Sequence, residues 1–478
     1  MAEFQAVIMA AGTGSRMFPL TERIPKALLP VGNLPLIWYP INLLDKAGFE
    51  EIIIVVLDSA LTRFHQLLPI VCNPRLKLDF VTIPDDADMG TADALRYIKD
   101  KIEKDIFVVS CDLVTDIALH HLADIHRSHD STVSAFLAPV PQTSADREFA
   151  NNPKAKKKTD NTDQYDYISI DSRESRLLFF ATEADLDEIL VIRKPLLKRY
   201  PCINIVKNLM DAHLYIIKKW IVDYLAENKS ISSIKGELIP FLVNKQFQKN
   251  KKANKVDPKS VSTVVEEFSS IRPDIYDFAK EDDIMSYTRQ LSSWSGTLTD
   301  IDHSNSIRCH AYVMENGICL RTNTIPLYVE ANRQIPKLLP GFTSKEITLI
   351  HPLATIKPKS QVGNDCMVDE SVSIGEKVSI KKSVIGKHTV IGERVKISNS
   401  VIMDHVTIME GCNVQGSIIC TNAHIKKNVI LKDCQVGDSH TISEGGLYFV
   451  TCLLLNMTLP GRHMCSVLLS GFIYGILN

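Results

Sequence analysis

Runs of Val, Ile and Leu punctuate the first 140 residues and alternate with amphipathic stretches. Residues 4–11 (FQAVIMAA), 51–57 (EIIIVVL) and 105–113 (DIFVVSCDL) are apolar almost without a break. That is the pattern of strands buried on both faces. Between them, residues 35–49 (PLIWYPINLLDKAGF) and 91–102 (TADALRYIKDKI) carry helical spacing, the first with Pro near its start and Gly48 near its end. The order predicts an α/β domain over 1–245, built on a Rossmann-like mixed or parallel sheet. Its polar, Lys-rich stretch 141–165 reads as a solvated loop. Strand patterns resume at YDYISI and RLLFF, and 209–227 reads as strand then helix. A shift to Lys, Ser, Asn and Gln marks 246–274 as a linker. Residues 275–345 read as a connecting region, with RCHAYVM as a strand and LYVEANRQIPKLL as a helix.

A different beat follows. Aliphatic residues recur at Val362, Val368, Ile374, Ile380, Ile385, Ile391, Ile397, Ile402, Ile408, Val414, Ile419, Ile425, Leu431, Val436 and Ile442. The steps settle into cycles of five, six and six, a period of 17 that also carries Ser383 to Ser400, Ser417 and Cys434. Three stations per period mean three short strands per coil. Stacked coils bury one continuous aliphatic column. The prediction is a parallel β-helix over 346–442, and hexapeptide repeats of this kind resemble the left-handed β-helix family. Glycines at 363, 375, 386, 392 and 437 follow the stations and are expected to serve tight corners. Past Ile442 the beat is expected to stop, leaving 443–478 as a divergent hydrophobic tail. Its apolar run Leu447–Leu459 is too broken to span a bilayer.

Lys+Arg 54 against Asp+Glu 56 gives a net charge of −2, which excludes a chain devoted to coating nucleic acid or anionic membrane. The 11 cysteines include no C-x-x-C pair, so neither a zinc ribbon nor a disulfide scaffold is expected. The first apolar run has no basic stretch ahead of it and reads as a strand, not a leader.

Candidate chemistry concentrates in residues 10–37 (AAGTGSRMFPLTERIPKALLPVGNLPLI). A strand runs into Gly12-Thr13-Gly14-Ser15-Arg16, where glycines let backbone N–H groups close around a phosphate. Arg16 and Lys26 supply positive charge there. This block resembles the signature of the sugar-phosphate nucleotidyltransferases, the pyrophosphorylases that make nucleotide-sugars. The resemblance implies nucleotide- or phosphate-binding roles for Gly12, Gly14, Ser15, Arg16 and Lys26. MGTADAL (89–95) resembles the family's loop beside the nucleobase, which adds Gly90 and Thr91. VVSCDL places Asp112 where the family holds its Mg²⁺-binding aspartate. Three departures stand against turnover. The family's Glu-Lys-Pro motif is missing from RLLFFATEADLDEIL, which carries four acids between Glu183 and Glu188. The sugar-pocket motif Asn-x-Gly-Ile-Tyr reads Asp211-Ala-His213-Leu-Tyr215. Asp93 brings a carboxylate to the nucleobase loop.

Together with IPDDADMGTADALRYI, ATEADLDEILVI and IPLYVEANRQIPKLL, these departures resemble the gamma subunits of eukaryotic translation initiation factor two-B, over residues 3–442. That resemblance implies a non-catalytic, regulatory subunit of a cytosolic guanine-nucleotide exchange complex. The implied partners are the epsilon subunit, the other subunits of the factor, and initiation factor two, the GTPase acted upon. Neither nucleic acid nor membrane is an implied partner. No catalytic residue and no required cofactor is implied; a nucleotide or Mg²⁺ retained at the old loop is the exception to look for. Exchange in that complex belongs to a helical C-terminal domain of epsilon, and no comparable pattern follows residue 445. The alternative on the same residues is an active sugar-1-phosphate nucleotidyltransferase.

Overall fold

The computed structural model describes residues 1–87, 89–141, 165–171, 175–183, 190–248, 274–279, 306–342, 348–450 and 452–453. The apolar runs form strands for the reason their pattern suggests. In β1 (Phe4–Met9), Phe4, Ala6 and Ile8 enter one core while Val7 enters the other. β2 (Glu51–Leu57) splits likewise, with Ile52, Ile54 and Val56 on one side and Ile53 and Val55 on the other. Side chains alternate across a pleated strand, so only a strand with apolar residues at every position fits between two covered faces.

Seven further strands complete the sheet: β3 (Lys77–Ile83), β4 (Asp105–Ser110), β5 (Val133–Pro139), β6 (Asp166–Asp171), β7 (Arg176–Thr182), β8 (Leu209–Ile217) and β9 (Cys309–Val313). Their order is β3-β2-β1-β4-β8-β5-β9-β7-β6. The β3-β2-β1-β4 half is parallel. β8 runs antiparallel to β4 and β5, so the sheet is mixed. Helices α1 (Trp38–Lys46), α2 (Thr91–Tyr97) and α3 (Lys219–Glu227) lie where periodicity placed them. Gly48 takes φ 85° just beyond α1.

β9 corrects the expected connecting region at 275–345. It pairs in parallel with β5 as an inner strand, and Cys309 and Ala311 join the core. Five residues of strand are too few to announce which sheet they join. The expected linker at 246–274 also begins late, since Gln246 is buried and donates Nε2–H to the Leu177 carbonyl. The expected loop at 141–165 and the remainder of the linker lie largely outside the described residues.

From Ile350 onward the chain winds as a three-sided parallel β-helix. Each side stacks six short strands, paired in register 17 or 18 residues apart, as in Ile385 with Ile402 and Ile402 with Ile419. The stations from Val368 to Ile442 fill a single buried column. Two strands continue past the expected end at Ile442: Leu447–Phe449 and Cys452–Leu453. Tyr448 stacks over Leu431 and Leu453 over Val436, so the beat persists with an aromatic at one station. Residues 454–478 lie outside the described set.

The glycines after the stations have a different reason from corners. A Cβ on Gly375 or Gly392 would stand 2.7–2.8 Å from the backbone of the next coil, so close coil stacking demands glycine there. The left-handed corners are instead taken by residues such as Lys377, Arg394, Asn399 and Asn428. Ser383, Ser400 and Ser417 are buried, and each hydroxyl accepts the backbone N–H of the equivalent residue one coil on, at 3.1–3.2 Å.

The two units share one core. On one side of the β-helix the outward residues Met367, Val384, Val401 and Ile418 are buried with the core beneath β1, β2 and β4. A hairpin, Pro30–Val31 with Leu34–Pro35, and helix α4 (Ile325–Phe342) lie at this contact. Gly32 donates its N–H to Asn332 Oδ1 at 2.9 Å, and Asn33 Nδ2 donates to the Ile385 carbonyl at 3.1 Å.

Ile402→Ala removes a column residue and should cost about 2–5 kcal/mol in chemical denaturation, whereas exposed Ser373→Ala should cost under about 0.5 kcal/mol. Burial, reinforced by neighbouring Lys218 and His129 respectively, pushes His126 and His310 from 6.5 down to about 3. The unfolded chain therefore takes up protons that the folded chain refuses. This stability is intact above pH 6.5 and is lost as pH falls from 6.5 toward 3, by about 1.4 kcal/mol per pH unit per histidine. Replacing both histidines with Asn should flatten that part of a stability-versus-pH curve.

Candidate functional site

The parallel half of the sheet delivers two segments to one edge. After β1 the chain enters Gly12–Ser15, and after β4 it reaches Asp112, tied to β1 by the Cys111 N–H on the Met9 carbonyl at 3.1 Å. Gly12 and Ser15 are exposed, as is Arg16. Gly14 has φ 71°, and a Cβ there would lie 2.9 Å from both Lys26 Cβ and Thr21 Cγ2, so glycine is required twice over. Its carbonyl accepts from the Met17 N–H at 2.8 Å and from Thr21 Oγ1 at 3.0 Å, which fixes the loop.

Lys26 does not stand free at this loop. Its Nζ lies 2.5 Å from Asp112 Oδ2. Arg321 reaches the same carboxylate, with Nη2 3.2 Å from Oδ2 and Nε 3.5 Å from Oδ1. A short antiparallel pairing of Cys319–Arg321 with Leu113–Thr115 brings Arg321 there. Thr322 secures the join, donating N–H and Oγ1–H to the Asp112 carbonyl at 2.9 and 3.2 Å. Burial alone would raise the Asp112 carboxyl, but Arg321 and Lys26 outweigh it and hold it well below the usual carboxylate range. The aspartate expected to carry Mg²⁺ is thus an ion-pair acceptor for two cations. Among the described residues no group of three His, Cys, Asp or Glu side chains is placed to hold a metal ion.

His213 stands close enough to Asp112 for each to act electrostatically on the other. It sits in an irregularity of the β8–β5 pairing with φ 53°, a conformation that favours the glycine it stands in for. Its Nε2 is buried and has no hydrogen-bond partner among the described residues. Burial first, then the charges of Arg321 and Lys235, hold the imidazole well below its ordinary range, so it is neutral. Asp211 accepts a hydrogen bond from the Tyr215 hydroxyl, and its own N–H bonds Asp166, which pairs with Lys235 at 2.9 Å. The acids after Glu183 lie outside the described residues.

The loop expected to lie beside a nucleobase packs against another segment of the chain. Thr91 Oγ1 accepts the Ile234 N–H at 2.9 Å, and the Ala92 N–H bonds the Ser232 carbonyl at 2.8 Å. A Cβ on Gly90 would meet the Ser232 oxygen at 2.2 Å. Asp93 caps α2 through the Gly90 N–H at 3.1 Å and pairs with Arg96. Of the residues expected at this site, the structure sets Lys26 beside Gly14 and against Asp112. Sequence reading missed Arg321, which lies 209 residues from Asp112 in a segment with no motif of its own.

Comparison with known proteins places this geometry. A nucleotidyl transferase family model matches residues 5–147, and the model for the LbH domain of eIF2B subunit epsilon matches 350–446. The chain is 33% identical over 452 residues to translation initiation factor eIF2B subunit gamma of Schizosaccharomyces pombe, covering 93% of this chain and 88% of that one. It is 30% identical over 407 residues to the same subunit of Dictyostelium discoideum, covering 81% and 88%. The chain belongs to the eIF2B gamma-subunit family. It is therefore a subunit of the multi-subunit eIF2B complex of translation initiation, and its β-helix is of the left-handed class. Similarity to mannose-1-phosphate guanyltransferase of Debaryomyces hansenii is lower, 28% over 247 residues, and covers 51% of this chain and 57% of that enzyme. No helix among the described residues is long and apolar enough to cross a membrane.

The tight seat of Gly90 gives a direct check. Gly90→Ala should lower the denaturation midpoint by the equivalent of about 1–3 kcal/mol, because Ser232 must move. Thr91→Val, which strands the Ile234 N–H, should cost about 1–2 kcal/mol.

Proposed function

We propose that this chain is a non-catalytic, regulatory subunit within the eIF2B exchange complex. It pairs with epsilon and helps the complex engage eIF2 in the cytosol without exchanging nucleotide itself. The observation that carries this reading is the chain's use of its own groups at the old catalytic edge. Ser232–Ile234 hold the nucleobase loop, Lys26 and Arg321 hold Asp112, and His213 fills the position of a sugar-pocket glycine. These contacts leave the nucleotidyltransferase unit as a scaffold. The β-helix supplies further interaction surface.

A second reading, an active sugar-1-phosphate nucleotidyltransferase, draws support from the exposed Gly12–Ser15 loop and the guanyltransferase similarity. Two measurements separate them. The purified chain should neither speed GDP release from eIF2 nor form nucleotide-sugar and pyrophosphate from GTP or ATP with a sugar-1-phosphate, and it should co-purify with epsilon. GDP release accelerated by this chain alone, or pyrophosphate above background, would overturn the proposal.

A further inference from the structure

We infer that Asp112 is not a metal ligand in this chain: Lys26 and Arg321 occupy its carboxylate permanently, and the resulting ion triad latches the nucleotidyltransferase-like unit to the β-helix. The first half follows from the donor set. A divalent cation at Asp112 needs carboxylate lone pairs turned toward it and an environment without competing positive charge. Here Oδ2 accepts from Lys26 and Arg321, and Oδ1 faces Arg321 Nε. The three side chains are only 14%, 1% and 13% exposed for Lys26, Asp112 and Arg321, so screening by water is weak. Admitting a metal would strand two buried cations.

The second half follows from where the cations are mounted. Lys26 begins the short turn Lys26–Leu28, which leads straight into the Pro30–Pro35 hairpin. That hairpin touches the β-helix through Asn33 on the Ile385 carbonyl and α4 through Gly32 on Asn332. Arg321 stands four residues before Ile325, where α4 begins, and α4 returns to the hairpin through the Tyr328 hydroxyl on the Pro30 carbonyl at 2.6 Å. Asp112 therefore joins both supports of the domain contact, through its side chain to Lys26 and Arg321 and through its carbonyl to Thr322. An aspartate whose position once suited a metal now positions an interface. It acts on the hairpin through Lys26 and on α4 through Arg321, so it is a positioning residue.

The test uses the purified full-length chain and needs no partner, so its failure is separable from failure of the assembly reading. Mn²⁺ titration followed by electron paramagnetic resonance should show no binding below millimolar concentration, for wild type and Asp112→Asn alike. Hydrogen exchange at Gly32 and Asn33 should accelerate at least tenfold in Asp112→Asn and Arg321→Met, with Arg321→Lys intermediate. Exchange at Val7 and Ile54, in the sheet, should change less than twofold. Micromolar Mn²⁺ binding by wild type that Asp112→Asn abolishes would overturn the first half. Unchanged exchange at the hairpin would overturn the second. Should either neutral variant fail to fold, Lys26→Gln, which keeps the Arg321 pair, is the exchange comparison, and a hairpin exchange rate equal to wild type in it overturns the latch.

Discussion

The architecture depends on one apolar contact, the side of the β-helix that carries Met367, Val384, Val401 and Ile418. On the other two sides the equivalent outward positions hold residues such as Ser373, Thr407, Lys396 and Asn413, which water accepts. On this side they are buried against the hairpin and α4, together with Met403 and Cys420. Burying such side chains is worth about 1.5–3 kcal/mol each before entropy. That is enough to fix two units that would otherwise be free to move relative to one another. The hairpin must sit flush for this contact to form, and Gly32, at φ 56° with a Cβ position only 2.3 Å from Ile335, shows how little room remains.

The nucleotidyltransferase signature therefore serves two ends. Its first part, Gly12–Arg16, remains an exposed loop beyond β1. Its later part, Lys26 to Pro35, has become a structural bracket. The same residues that mark a nucleotide enzyme in the sequence now connect a buried aspartate to a second domain. This explains how a long stretch of enzyme-like sequence can serve a structural end.

The fold was largely legible because its patterns repeat. The beat of five and six residues needs only one aliphatic side chain per strand to declare itself, and the alternating cores of β1, β2 and β4 need unbroken Val and Ile runs. The apolar side facing the sheet was legible too, in retrospect, as the residue before every third station: Met367, Val384, Val401, Ile418. It reads as ordinary β-propensity unless the three sides are compared. Arg321 could not be found this way. Its role depends on a three-strand-residue pairing with Leu113–Thr115, and nothing local distinguishes it from any other arginine after a short strand. The continuation to Leu453 was missed because Tyr448 broke a run of small aliphatics, although its ring packs on the same column.

The serine ladder carries a consequence for how the β-helix can change length. The Ser383, Ser400 and Ser417 hydroxyls each accept one hydrogen bond from the backbone of the next coil, the last of them donated by the Cys434 N–H. Because every rung is 17 residues from the one below, the stack behaves as a ruler graduated in whole coils. An insertion of one or two residues breaks the rungs and the column together, while a whole added coil preserves both. A coil gained or lost above Ile418 would shift the far end by about 4.8 Å and leave the buried side against the sheet untouched. Reach and attachment are thus set by different coils of the same helix, and lineages can alter one without disturbing the other.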